Sequence, residues 1–179
     1  MYIDLRRLTG QPCEMGALQK VLEGAPSYAK RVTGHPPEGA EARRLFSALP
    51  PGVPCDNKYL YGVMAGEHDM IGCADVIRGW PTPSTALIGL LLLTEMHQGC
   101  GVGRCAYHLV EAKVQRWPEI DVLRISVVCS LAAVLPFWRR LGFAETGEVQ
   151  PYRYDTLVSE SIILTKSLRD DDRPPDPAS

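Results

Sequence analysis

The segment His97–Arg104, HQGCGVGR, sets Gly99, Gly101 and Gly103 at alternate positions between a long apolar run and an amphipathic stretch. Glycine costs backbone entropy, so three at one junction imply that a partner approaches the main chain closely. A strand, a glycine loop and a helix in that order expose backbone N–H groups at the helix start, and such groups bind anions. The residues exclude two phosphate cradles of this kind. A Walker loop requires Lys and then Ser or Thr after its last glycine, whereas Arg104 and Cys105 follow Gly103. The dinucleotide fingerprint requires glycine where Arg104 stands, and a place in a first strand–helix–strand unit.

The elements that must hold this loop are legible from periodicity. Residues Tyr2–Leu8 alternate as a first strand, and Cys13–Phe46 carries apolar residues at helical spacing, broken by GAPS and TGHPPEG, as two or three helices. LPPGVPCDN reads as a loop. KYLYGVMA and DMIGCADVIRGW follow as two strands joined by the turn Gly66–Asp69. The run TALIGLLLLT, entered through PTPST, reads as a fourth strand covered on both faces. After the glycines, Val102, Cys105, Ala106, Leu109, Val110, Val114 and Trp117 share one helical face, and Pro118 ends that helix. Val122–Ser130 is a β-branched fifth strand. A second helix, starting near Ala132 or Ala133, sets Val134, Phe137, Trp138 and Leu141 on one side, with Gly142 as its cap. Two last strands, around Ala144–Val149 and Val158–Lys166, complete a single domain over residues 1–166. Residues 167–179, with RDDDRPPDPAS, read as a solvated, disordered tail.

Composition narrows the function. A net charge of −2 gives no electrostatic reason to expect nucleic acid. The longest apolar run, Ala86–Leu93, is too short to span a membrane, and MYIDLRRLTG lacks an apolar signal core, so the chain reads as a cytoplasmic protein with no membrane partner. The six cysteines form no C-x-x-C pair, so no metal site is expected. They read as buried, reduced, small apolar residues, with Cys100 inside the glycine loop the one to watch.

Q-x-x-G-x-G at Gln98, Gly101 and Gly103, followed some thirty residues later by FWRRLGF (Phe137–Phe143), resembles the GNAT superfamily of N-acetyltransferases. The resemblance extends to the order of elements over nearly the whole chain. It implies a mixed α/β sheet whose fourth and fifth strands splay apart, and acetyl-CoA or another acyl-CoA as co-substrate. The amides of Gly99, Cys100, Gly101, Val102, Gly103 and Arg104 would hold the pyrophosphate, aided by the positive helix end. Main-chain groups of Leu91, Leu92 and Leu93 would pair with the pantetheine arm, while Gln98, Phe137 and Trp138 complete the cofactor side. Homodimers also fit the resemblance, although no residue here demands one.

Acyl transfer to an amine needs a deprotonated nucleophile, a donor to the oxyanion and a proton for the leaving thiolate. The resemblance puts the oxyanion donor at a main-chain amide near Leu93. The usual acid, a Tyr, is replaced by Trp138, whose indole N–H cannot release a proton to a thiolate. Leu131 stands where an Asn is expected, and Ser126 and Leu87 stand where relatives carry Glu. The catalytic candidates are therefore Asp75, Ser126 and Trp138. Tyr28, Asp75, Tyr152 and Tyr154 are candidates for the acceptor site, while Glu95 and His97 lie nearer the phosphates. The leading expectation is transfer from acyl-CoA to a small-molecule amine. The alternatives are transfer from a carrier protein's phosphopantetheine, and a GNAT-shaped module that binds CoA or a metabolite without turnover.

Overall fold

The computed structural model describes residues 2–169. Five strands form around an antiparallel frame: β1 (Ile3–Arg7), β2 (Lys58–Ala65), β3 (Asp69–Arg78), β4 (Thr85–Leu93) and β5 (Val122–Val128). Strands β6 (Ala144–Tyr154) and β7 (Leu157–Ser167) complete a seven-stranded sheet in the order β1-β2-β3-β4-β5-β7-β6. Every neighbouring pair is antiparallel except β4 with β5. Helices α1 (Pro12–Glu23), α2 (Pro26–Thr33) and α3 (Glu41–Ser47) precede β2; α4 (Val102–Val114) joins β4 to β5, and α5 (Leu135–Arg140) follows β5.

The helices cover opposite faces. On one, Leu18, Val21 and Ala25 of the α1–α2 segment and Ala42 of α3 pack against Leu60, Cys73 and Leu92. On the other, Ala106, Tyr107, Val110 and Val114 of α4 and Trp138 of α5 pack over Ile88, Leu123, Ile125 and Leu164. Between these layers β4 is apolar from Ala86 to Leu93, as suits a strand covered on both faces, and its one polar side chain, Thr85, is paired with Thr82 at 2.8 Å.

Several local expectations are corrected. The buried face of α4 contains Tyr107 and not Cys105, because the Tyr107 hydroxyl finds Glu111 at 2.7 Å and Lys166 at 3.1 Å inside the core. Of the six cysteines, only Cys73 is buried, its thiol pushed up to about 12 by burial; the other five lie on helix starts, turns and outer helix faces. Residues Cys129–Val134 form a 3₁₀ segment, so α5 begins at Leu135 with Pro136 in its first turn, where a missing N–H costs nothing. Strand β6 runs through Pro151 to Tyr154, and only Asp155 and Thr156 turn the hairpin. Proline in a run argues against a strand, but β6 is a sheet edge, where no partner claims that N–H. At the end of the domain, Ser167 still belongs to β7, Leu168 packs on the core, and Arg169 pairs with Asp121 at 2.6 Å. The remainder of the expected tail, residues 170–179, lies outside the described residues.

The central strands part as expected. Only Thr85–Ile88 pairs with Val122–Ile125, although β4 stays on β3 to Leu93 and β5 stays on β7 to Val128. A bulge marks the same point: Asp75 opposes Leu90 and Val76 opposes Ile88, leaving Gly89 without a partner. Beneath it, Lys58 Nζ donates to both Asp75 oxygens, at 2.8 and 2.9 Å. A Cβ on Gly89 would stand 3.3 Å from Asp75 Oδ2, so the ion pair occupies the space a side chain would need.

Both partners of that pair are more than nine-tenths buried. Asp75→Ala, which strands the Lys58 charge, is expected to cost about 3–5 kcal/mol in urea unfolding, and Asp75→Leu combined with Lys58→Met should recover most of it.

Candidate active site

Strand β4 ends at Leu93 and the chain turns through a 3₁₀ segment, Glu95–His97, into the glycine loop. Three contacts fix the turn. Gln98 Nε2 donates to the Leu93 carbonyl at 2.8 Å, Thr94 Oγ1 lies 2.7 Å from His97 Nδ1, and Cys100 Sγ reaches the His97 carbonyl at 3.2 Å. Gln98 is thus a brace of the loop, tying it to the strand end. Gly99 and Gly101 have φ of +75° and +86°, and a Cβ on either would meet nothing. These two glycines are required by the backbone path and not by crowding from the protein. Gly101 caps α4, and among the described residues the N–H groups of Gly99–Arg104 have no hydrogen-bond partner. Six free donors at the positive end of a thirteen-residue helix fit a diphosphate.

Beside the loop, Arg104, His108 and Arg140 with Phe137 and Leu141 line a crevice of about 400 Å³ between α4 and α5. Its basic rim suits the far end of a nucleotide. Phe137 is on its wall, but Trp138 turns into the core, edge-on to Tyr107 and Phe143 at centroid distances of 6.0 and 5.3 Å. Of the two aromatic residues expected beside the cofactor, only Phe137 lines this crevice.

The gap between β4 and β5 presents main chain. Thr94 N donates to Ile71 O across β3, so alternation turns the N–H of Leu92 toward β3 and those of Leu91 and Leu93 into the gap. The Leu93 carbonyl facing the gap is taken by Gln98; the two amides are the donors that remain. Ser126, the first β5 residue past the pairing, is exposed at the same opening.

On the α1–α3 side lies a pocket of about 250 Å³. It unites Tyr28, Tyr152 and Tyr154, which are more than 120 residues apart at the extreme. Leu22, Ala29, Val32, Leu45 and Leu90 supply apolar walls, with Thr33, Glu41 and Arg44 among the polar ones. Neither Glu41 nor Arg44 stands out in the sequence, where each is one charged residue of an ordinary amphipathic helix. Tyr152 donates to the Val32 carbonyl at 2.7 Å, pinning the β6 tip onto α2, and Arg44 donates to the Tyr154 hydroxyl at 3.3 Å. The Tyr28 hydroxyl has no protein partner among the described residues. Burial raises its pKa well beyond the usual tyrosine range, with Tyr152, Cys73 and Glu41 adding to the effect, so it stays a donor. Asp75 does not line this pocket; its carboxylate is held by Lys58 below Gly89. Glu95 is also committed. It accepts the Ser27 N–H at 2.8 Å and its own N–H donates to Gly24 O at 2.8 Å, bolting the loop to the α1–α2 junction.

Among the described residues, no three His, Cys, Asp or Glu side chains gather as a metal site, and no helix is long and apolar enough to cross a membrane.

This architecture, a mixed sheet opened between two parallel strands with a glycine loop at the opening, is the GNAT acyltransferase fold. An acetyltransferase of Thermus thermophilus matches with a TM-score of 0.71 at 21% identity, over 94% of this chain and 98% of that one. A GNAT family acetyltransferase from Elizabethkingia anophelis, solved with acetyl-CoA bound, gives 0.60 at 17% identity over 93% and 98%. The ribosomal-protein-S18-alanine N-acetyltransferase of Escherichia coli gives 0.65 at 14% over 97% and 99%. No protein-family model and no curated protein matches the chain.

Gly101→Val forces a β-branched residue into a left-handed conformation and should weaken acetyl-CoA binding at least tenfold by calorimetry, about 1.4 kcal/mol. Gly34→Val imposes the same strain (φ +88°) at the end of α2, and should leave that affinity unchanged.

Proposed function

We propose that the chain is a GNAT-family N-acyltransferase that moves an acyl group, most simply acetyl, from acyl-CoA to the amine of a small molecule. The observation that carries this reading is the coincidence of six unpaired loop amides with a sheet opening that turns the Leu91 and Leu93 N–H groups inward. One set suits a diphosphate and the other a pantetheine amide or a thioester oxyanion. The amine nitrogen attacks the thioester carbonyl, the C–S bond breaks as the tetrahedral intermediate collapses, and the thiolate leaves with a proton from solvent.

The roles follow from position. The Leu93 amide, with Leu91 behind it, stabilises the oxyanion, a contribution worth about 10²–10³ in rate for a single well-placed donor. Arg104 and Arg140 face the nucleotide's distal phosphate. With Asp75 bound to Lys58, the amine's proton leaves through water, for which the exposed Ser126 hydroxyl is a holding point. Trp138 serves the fold by packing α5 onto α4.

Acetyl-CoA at one hundred times its Kd should stabilise the protein by about 2.7 kcal/mol, a rise of ~5–10 °C in Tm. Thiol release should then appear on adding an amine. Indifference to acetyl-CoA with a response to acyl-pantetheine would transfer the reading to a carrier-bound donor, and binding without thiol release for any amine would leave a module without turnover.

A further inference from the structure

Granting acyl transfer, the acceptor pocket carries information on what enters it. We infer that the acceptor is a compact primary amine on an apolar skeleton without a carboxylate or a second cationic group. Three observations converge on this class.

The first is size and surface. At about 250 Å³ the pocket falls below the ~300–1,000 Å³ usual for drug-sized ligands, and its walls are largely hydrocarbon. Leu90 ties it to the chemistry: its side chain lines the pocket while the amide of the next residue, Leu91, faces the strand gap. An amine presented to the gap therefore trails its substituent across Leu90 toward Val32 and Leu45.

The second is charge. Among the described residues, the only cation on the lining is Arg44, already engaged by Glu38 at 2.6 Å and Glu41 at 3.7 Å. These three side chains carry one net negative charge. A carboxylate or phosphate on the acceptor would enter without a cation to receive it, whereas a single ammonium is drawn toward the rim. A polycation gains at that rim too, but its further charges would be stranded against hydrocarbon.

The third is the hydrogen-bond inventory. The Tyr152 hydroxyl donates to Val32 O, while that of Tyr154 accepts from Arg44 and keeps its own O–H free; among the three tyrosines Tyr28 alone has a hydroxyl with no protein partner among the described residues. The site therefore offers the Tyr28 hydroxyl, deepest in burial, and the Tyr154 hydroxyl beside Arg44 as donors to neutral acceptor atoms such as an ether, phenol or carbonyl oxygen.

The test is steady-state thiol release with saturating acetyl-CoA across amines of graded character. For linear amines from propylamine to hexylamine, kcat/KM should rise about fourfold per methylene until the pocket is filled. Phenethylamine should exceed phenylalanine, spermidine, kanamycin and an Ala-initiated peptide by at least tenfold. Ala29→Phe, which fills the pocket, should reverse the chain-length trend while acetyl-CoA affinity by calorimetry stays unchanged. Tyr28→Phe should raise KM for a methoxy-substituted phenethylamine severalfold and leave that of hexylamine as it was. A flat chain-length series, or preference for phenylalanine, the polycations or the peptide, overturns the inference while leaving acyl transfer standing. Failure of both acetyl-CoA and acyl-pantetheine to bind overturns both.

Discussion

The fold is organised around a parallel strand pair that closes for four residues and then opens. Up to Ile88 and Ile125, β4 and β5 satisfy one another; beyond, each keeps its outer partner and abandons the inner one. Backbone N–H groups without partners are costly when buried, so a sheet can hold such an opening only where water or a ligand reaches it. The bulge at Gly89 lies where the pairing stops, and the Lys58–Asp75 pair fills the space beneath it. A charged pair in the middle of a sheet contributes little as stability alone. Here it coincides with the point at which the strand changes direction.

On the proposed cofactor side the groups left without partners are mainly main chain, which accords with a composition of little obvious chemistry. Leucines line the strand because their side chains belong to the core, while alternate amides face the opening. The loop likewise uses glycines that set the path and a glutamine that anchors it. Among the described residues, Arg104 and Arg140 add side-chain charge at the crevice beside it. The pocket proposed for the acceptor is the reverse: its backbone is internally paired within helices and strands, and its character comes from side chains, the tyrosines, the aliphatic walls and the Glu41–Arg44 rim.

How much of this is legible in the sequence depends on the range of the interaction. The glycine junction, the apolar fourth strand and the stripe Val134, Phe137, Trp138, Leu141 are local patterns, and the elements they imply are present. The inward turn of Trp138 is consistent with that stripe, although its likeness to a catalytic tyrosine position points toward the cofactor instead. The β6 tip looks like a loop because Pro151 breaks a strand pattern, and only the sheet order reveals that it is an edge. The exposure of five cysteines escapes a composition argument that treats them as a class. Glu41 and Arg44 leave no local signal, since their meaning comes from Tyr154, over a hundred residues away. Asp75 is noticeable for its type, but its partner Lys58 is visible only through the β2–β3 register.

The two bonds that bolt Glu95 to Ser27 and Gly24 give the molecule a short mechanical linkage. The cradle's entrance turn and the helix bearing Tyr28 are thereby tied to one another through a single shared glutamate. A displacement of either is transmitted to the other, so the glycine loop and the tyrosine-lined pocket are joined by a direct contact and not only through the sheet between them.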